Sequence, residues 1–318
     1  MKKIIALLMS VLSLILCGCS VAGSNNIPET TDTTPSTEPI ANDGPLCDGK
    51  TLKMLVVTSS FGLNTTQFIW DIAKAEGAED VVVGRLYYSG CSLQKHANYA
   101  KTNAAVYQYT KNTSGEWVKQ ENITLEYGLK DEDWDIIYLQ QGAATAPIAS
   151  TYEGYLDEVM TYLQENKTNP NARFIWNMTW AYQGDSTQAV FISFNSDQMA
   201  MYQSILDATK EHIIPRTDFT TFSPTGTAIQ NARTSYFGDH LTKDTYHLNN
   251  LGRAIAGYTL WAALTDKPLT EVNLGPINSY DLPEILELTD ADKMVIIESV
   301  NNALANPWEV TQSSYPQA

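Results

Sequence analysis

Basic residues are scarce in this chain: 20 Lys and Arg stand against 36 Asp and Glu in 318 residues, a formal net charge of −16 at pH 7. A surface that acidic repels phosphate backbones and anionic lipid faces, which argues against nucleic acid and against membrane binding through charge. Histidine is scarcer still. His96, His212, His240 and His247 are the only four, and none falls in a Cys-x-x-Cys or His-Glu-x-x-His spacing. The usual zinc patterns are therefore missing, and no metal or other cofactor is implied. Cysteine is limited to Cys17, Cys19, Cys47 and Cys91, too few for a disulfide framework, and whether Cys47 and Cys91 pair is open. No internal repeat is visible, and beyond residue 16 no run is apolar enough to span a bilayer.

The start of the chain is rich in apolar residues. Met1-Lys2-Lys3 is a short positive segment, and Ile4 to Leu16 is then apolar except for Ser10 and Ser13. That stretch is too short for a stable transmembrane helix and the right size for the core of a secretion signal. It ends in Leu16-Cys17-Gly18-Cys19, which resembles the lipobox of bacterial lipoproteins. The resemblance implies that residues 1–18 are a removable signal peptide and that Cys19 carries the lipid anchor. Cys17 is the rival, but Gly18 suits the position before the cut better than Leu16 does. The protein is thus expected outside the cytoplasm, at the cell membrane or outer surface, touching the membrane only through its lipid. Loss of Lys2 and Lys3 would take the charge to −18. Residues 20–46, rich in Ser, Thr, Pro, Asn and Gly, cannot offset their ordering entropy by burial. With Cys19 they form an expected tether, residues 19–46, leaving 47–318 as the folded part.

Within 47–318, strand and helix patterns alternate. Leu52 to Val57 reads as a buried strand running into Thr58-Ser59-Ser60, with Asn64 or Thr65 able to cap a helix reaching Lys74. Asp80 to Tyr88 is a second strand, ended by Ser89-Gly90. Residues 106–118 suggest a hairpin turning at Asn112-Thr113-Ser114-Gly115. Trp134 to Leu139 and Ala172 to Trp176 are further strands. Helices are expected over Tyr152 to Gln164, Asp197 to His212, Leu248 to Leu264 and Ala291 to Ala305. This alternation predicts an α/β domain with a central parallel sheet and helices on both faces.

In such sheets ligands bind at the carboxyl ends of strands. Three predicted strand ends carry small or polar residues: Ser59-Ser60, Gly90 and Gln140-Gln141. Acyl transfer needs a nucleophile, a base, a group to orient the base, and donors for the oxyanion. Ser60 lies at a strand-to-helix turn, where its hydroxyl can stand clear. Asp244 and His247, three apart on a loop before a helix, can fold so that the carboxylate holds one ring nitrogen and frees the other. Gly90 can offer a backbone N–H, and Gln141 or Gln140 an amide.

In this order the blocks resemble the SGNH hydrolase superfamily, the GDSL-type esterases and lipases. Thr58-Ser59-Ser60 stands where that family has Gly-Asp-Ser, and Ser89-Gly90-Cys91-Ser92-Leu93 stands for its Gly block. Leu139-Gln140-Gln141-Gly142 stands for Gly-x-Asn-Asp, and Asp244-Thr245-Tyr246-His247-Leu248 with Gly252-Arg253 for Asp-x-x-His. Thr179-Trp180-Ala181-Tyr182 and the run from Pro224 to Arg233 resemble an uncharacterised bacterial branch of the superfamily. The resemblance spans about residues 52–265. It implies a flavodoxin-like three-layer α/β/α sandwich and a serine esterase. Ser60, Asp244 and His247 would be catalytic, and Ser60, Gly90 and Gln141 would form the oxyanion hole. Ser59 before the nucleophile and Gln in the third block depart from the family pattern.

Trp176, Trp180, Tyr182, Tyr87 and Tyr88 fall near these strand ends, and aromatic faces suit sugar rings. Trp180, Tyr182 and Gln140 are the expected substrate contacts. An exported, tethered enzyme meets polysaccharide first, so the expected partner is an acylated glycan or another small ester. A catalytically inactive glycan-binding lipoprotein, or a lipase or thioesterase acting on longer chains, would use the same residues differently. The lipid assignment is checked by labelled fatty-acid incorporation in a bacterial host: Cys17→Ser is expected to keep the label and Cys19→Ser to lose it.

Overall fold

The sheet owes its place in the interior to period-two alternation in apolar runs. In the computed structural model, which describes residues 44–317, β1 (Thr51–Thr58) sends Leu52, Met54 and Val56 to one face and Leu55 and Val57 to the other, all fully buried. The expected signal peptide, Cys19 and nearly all of the tether lie outside the described residues.

β1 pairs in parallel with β2 (Asp80–Tyr87) on one side and with β5 (Ile136–Leu139) on the other. β6 (Arg173–Asn177) and β7 (Phe219–Ser223) continue in parallel beyond β5. The parallel order β2-β1-β5-β6-β7 is the flavodoxin-like doubly wound order. An antiparallel hairpin, β3 (Tyr107–Asn112) and β4 (Trp117–Ile123), extends the sheet beyond β2 to seven strands.

Helices cover both faces. Against the Met54 face lie α1 (Ser60–Thr65), α2 (Ile69–Ala75), α8 (Thr225–Arg233), α9 (Asn250–Thr265) and α10 (Asp290–Ala305). Against the Leu55 face lie α3 (Leu93–Thr102), α4 (Leu125–Lys130) and α5 (Tyr155–Asn166). α7 (Gln198–His212) packs at the sheet edge and contributes to both cores, and α6 (Ala189–Ser193) is one short turn. The expected α/β/α sandwich is the fold observed. A separate two-stranded hairpin, β8 (Ile277–Ser279) and β9 (Leu282–Leu286), follows α9.

Helix starts follow local chemistry. The Asp197 side chain accepts from the N–H groups of Met199 and Ala200, Asn249 from Gly252, and Thr289 forms a capping box with Asp292. One expectation needs correction, and two elements were not anticipated. The helix expected up to Lys74 is two helices, and Asn64 sits inside the first instead of capping one. Residues 93–102 form α3, and Phe219–Ser223 is a strand whose buried positions include the polar Thr221 and Ser223, which weakens its apolar signal. α8 is polar in sequence yet buried along its length. Its Thr225, Thr227 and Asn231 side chains bond to Asn177, the Pro307 carbonyl and the Ser299 carbonyl, so burial leaves those groups satisfied.

The turn from β1 into α1 is tight. A Cβ on Gly62 would stand 1.9 Å from Thr58 Oγ1, and Thr58 is fully buried. Gly62→Ala is expected to cost about 1–3 kcal/mol through overpacking, seen as a lower urea midpoint at unchanged slope.

Candidate active site

Strand order reverses at β1, which makes its carboxyl end the crevice of a doubly wound sheet. Parallel register aligns the neighbouring strand ends there: Thr58 faces Tyr87, and Val57 faces Leu139. Ser60, two residues past Thr58, is the first residue of α1. Ser59 precedes it in extended conformation, and its side chain does not cap the helix. Among the described residues, the Ser60 backbone N–H has no hydrogen-bond partner.

The loop from Leu241 to Asn249 brings the base. His247 Nε2 lies 2.8 Å from Ser60 Oγ, and His247 Nδ1 lies 2.8 Å from Asp244 Oδ2. Residues far apart in the chain thus form one hydrogen-bonded line, Ser60 to His247 to Asp244. The loop is folded on itself through Lys243 N–H to the His247 carbonyl and Asn249 N–H to the Leu241 carbonyl. It is fastened outward by Leu248 N–H donating to Asn64 Oδ1 at 2.8 Å, by Gln183 N–H to the Thr245 carbonyl, and by Trp180 Nε1–H to the Tyr246 carbonyl. Thr245 takes a φ of +72°. For a β-branched residue that conformation costs about 1–3 kcal/mol, which these outward bonds hold in place.

Burial works against ionising Asp244, but hydrogen bonds from the His247 ring and from the His247 and Tyr246 backbone N–H groups outweigh it. Its carboxyl is held below the ordinary value. The resulting stabilisation is present above the usual carboxylate pKa and is lost as pH falls through the lowered one. The imidazole packs edge-on to Phe61, and Phe61 stacks on Trp180 with ring centroids 4.1 Å apart.

A cavity of about 450 Å³ opens in front of Ser60 and His247, walled by Gly90, Gly142, Ala143 and Tyr182 among others. Gly90 adopts a left-handed φ of +56°, its carbonyl accepts from Lys95 Nζ, and its own N–H has no partner among the described residues. A Cβ on Gly142 would meet the Cys91 carbonyl at 2.6 Å, so only glycine lets the loop after β5 approach the Gly90 loop this closely.

Ser60, His247, Asp244, Gly90 and Tyr182 therefore converge, while other expected residues do not reach the cavity. Gln141 is corrected first. Its Oε1 accepts from Leu93 N–H and Gly142 N–H, and its Nε2 donates to Thr151, so the amide is consumed in fastening loops. Gln140 is buried beneath the site, with its Oε1 bonded by the Tyr138 hydroxyl and its Nε2 3.4 Å from Ser59 Oγ. Trp180 is fully buried behind Phe61 and supports the triad loop without facing a ligand. Trp176 points into the core on the Leu55 face. Tyr87 does line the cavity, whereas Tyr88 packs edge-on against Tyr99 outside it. Sequence reasoning missed Ala143, Ala144, Gln188, Lys95 and Tyr246 as cavity residues; Tyr246 lies inside the Asp-x-x-His block, and the other four belong to no motif that would have marked them. Cys47 and Cys91 are free and buried, and burial pushes the Cys91 thiol up to about 12. Among the described residues no cluster of His, Cys, Asp and Glu is arranged to hold a metal ion.

Fold and site together define a doubly wound α/β/α domain with a Ser-His-Asp line at the switch point of its sheet. The chain belongs to the DUF4886 family, a domain of unknown function whose family model matches residues 53–280. It is similar to the crystal structure of a DUF4886 family protein from Bacteroides uniformis, at 32% identity and a TM-score of 0.75, covering 84% of this chain and 100% of that one. A candidate GDSL-like lipase from Parabacteroides merdae matches at 12% identity and a TM-score of 0.43, over 68% of this chain and 97% of that one. An alpha/beta hydrolase enzyme from the metagenome of Lake Arreo, Spain, matches at 10% and 0.41, over 69% and 98%. No curated protein sequence matches.

The anchor of the triad loop on α1 is open to test. Asn64→Ala leaves the N–H of fully buried Leu248 without a partner and is expected to lower stability by about 1–3 kcal/mol, whereas Asn64→Asp, which keeps the acceptor, retains most of it. Chemical denaturation of the three proteins checks this.

Proposed function

We propose that this protein is a serine esterase that removes acetyl or a similarly small acyl group from carbohydrate, held outside the cytoplasm by lipid on Cys19. The reading is carried by the line from Ser60 Oγ through His247 to Asp244, with both hydrogen bonds at 2.8 Å. Ser60 Oγ attacks the ester carbonyl carbon as its proton passes to His247 Nε2. Asp244 keeps Nδ1 protonated and steadies the imidazolium. The oxyanion is received by the N–H groups of Ser60 and Gly90. The third donor falls to the backbone turn at residues 142–144, where the Ala143 and Ala144 N–H groups are unpartnered among the described residues, and not to Gln141. The protonated His247 then gives its proton to the departing alcohol, and water, deprotonated by the same ring, releases the acid.

Small acyl groups are favoured by walls of Gly90, Gly142, Ala143 and Ala144, which offer no long apolar groove. Tyr246 and Tyr87, both half-buried, supply ring surface for a sugar, with Tyr182 buried behind Tyr246. Ser59 is the weaker nucleophile candidate, since it is buried and its Oγ is directed to Gln140.

Hydrolysis of p-nitrophenyl acetate tests the reading. Ser60→Ala is expected to lose on the order of 10⁴-fold in rate, and Ser59→Ala to retain turnover. Equal, weak rates for all three proteins would sink the esterase proposal.

A further inference from the structure

A second cavity, of about 580 Å³, adjoins the first, and Tyr87 lines both. Its floor is the sheet surface of β2, β3 and β4, where Arg85 pairs with Thr110 and Tyr87 with Gln108. Gln67, just before α2, and Asp71, on it, form one wall, and Asn278 and Tyr280 of the β8–β9 hairpin form another. The two hairpins that the doubly wound core does not require therefore complete this cavity against β2 and the start of α2. The β8–β9 hairpin is tied to the triad region as well. Asp281 accepts from both terminal nitrogens of Arg253 on α9 and from Lys243 on the triad loop.

Arg85 is the unexplained group. It is 3% exposed, and no carboxylate lies within 4.0 Å of it among the described residues. Its guanidinium lies 3.3 Å from the centroid of the Trp117 ring, and its Nε donates to Thr110 Oγ1 at 3.0 Å. Neither terminal nitrogen has a partner among the described residues, and Nη1 is buried. A buried cation without a counter-ion is costly, and stacking on an indole offsets only part of that cost. The other buried arginines differ: Arg253 pairs with Asp281 and Arg233 with Asp239.

Arg85 Nη2, unpartnered among the described residues and not fully buried, can donate to a carboxylate oxygen in the cavity, while Nη1 is buried. Asp71, on the same cavity, is pushed up to about 6 by burial and has no cation partner among the described residues. At that value it is still mostly ionised at neutral pH, so it repels a dianion such as a phosphate monoester more than a monoanion. Tyr280, 80% exposed at the cavity, offers an aromatic face; Gln67 offers its amide, while Gln108 and Asn278, whose amide nitrogens donate to Glu121 and to the Pro283 carbonyl, offer their carbonyl oxygens to hydroxyl groups.

We infer that this second cavity is a subsite for a carboxylate-bearing sugar, a uronate residue of the glycan, with Arg85 as its anchor and the scissile ester placed across Tyr87 at Ser60. The ester placement rests on the esterase reading; the recognition of the uronate does not.

The test titrates the full-length Ser60→Ala protein in detergent with trisaccharides of glucuronate, galacturonate and mannuronate, each beside its neutral methyl ester. At least one acid is expected to bind about tenfold or more tightly than its ester, and Arg85→Gln to erase that ratio. Overturning results are that no acid outbinds its ester, or that the ratio survives in a folded Arg85→Gln protein. Should that variant fail to fold, the acid-to-ester ratio of the Ser60→Ala protein still decides. Acid preference without p-nitrophenyl acetate hydrolysis by the unsubstituted protein would remove the esterase reading alone. Hydrolysis without acid preference would remove the subsite alone.

Discussion

β1 is paired in parallel with strands on both sides and buried on both faces, and every part of the site takes its position from that strand. Eight residues fix where Thr58 ends, and the shared register puts Tyr87 and Leu139 beside it. A slip of one residue would turn Met54 and Val56 toward the wrong helix layer, so register here is strongly specified. Ser60 inherits that precision because only Ser59 separates it from the strand. The close approach of Gly62 to Thr58 then sets the angle at which α1 leaves.

His247 sits on a loop, and a loop needs a different source of order. It comes from hydrogen bonds that converge from two sides: Asn64 of α1 on Leu248, and, from the segment after β6, Trp180 on Tyr246 and Gln183 on Thr245. The segment 179–182 is held in turn by α8, where Gly226 N–H bonds to the Met178 carbonyl and a Cβ would strike the Thr179 carbonyl at 2.1 Å. The polar, buried α8 is thus the far support of the triad loop. Its hydroxyls and amides are satisfied by neighbouring segments, which is why a sequence with so little apolar character can form an interior helix.

Charge is distributed unevenly between surface and interior. The chain as a whole is strongly acidic, yet Arg85, Arg233 and Arg253 are all nearly inaccessible. Two of the three are neutralised by aspartates and serve as joints between elements; the Arg253–Asp281 pair joins the β8–β9 hairpin to the start of the helix that follows His247. Arg85 alone among them leans on an aromatic ring in place of an acid. Its setting lies where the hairpins depart from the doubly wound pattern.

The sequence by itself determined the α/β class, the strands β1, β2, β5 and β6, the helices α5, α7, α9 and α10, and Ser60, Asp244 and His247 as a group that can meet. These features are local: apolar runs and a short Asp-x-x-His spacing are written within a few residues of where they act. Tertiary structure alone decided the fate of Gln141, Gln140 and Trp180. An amide or an indole near a strand end can face solvent or interior with equal local propensity. Long-range partners made the choice: Leu93 and Thr151 for Gln141, Tyr138 for Gln140, and Phe61 and Tyr246 for Trp180. For the same reason Arg85 and Trp117 met only in the fold, since their stacking depends on the pairing of β2, β3 and β4 and on nothing within either strand.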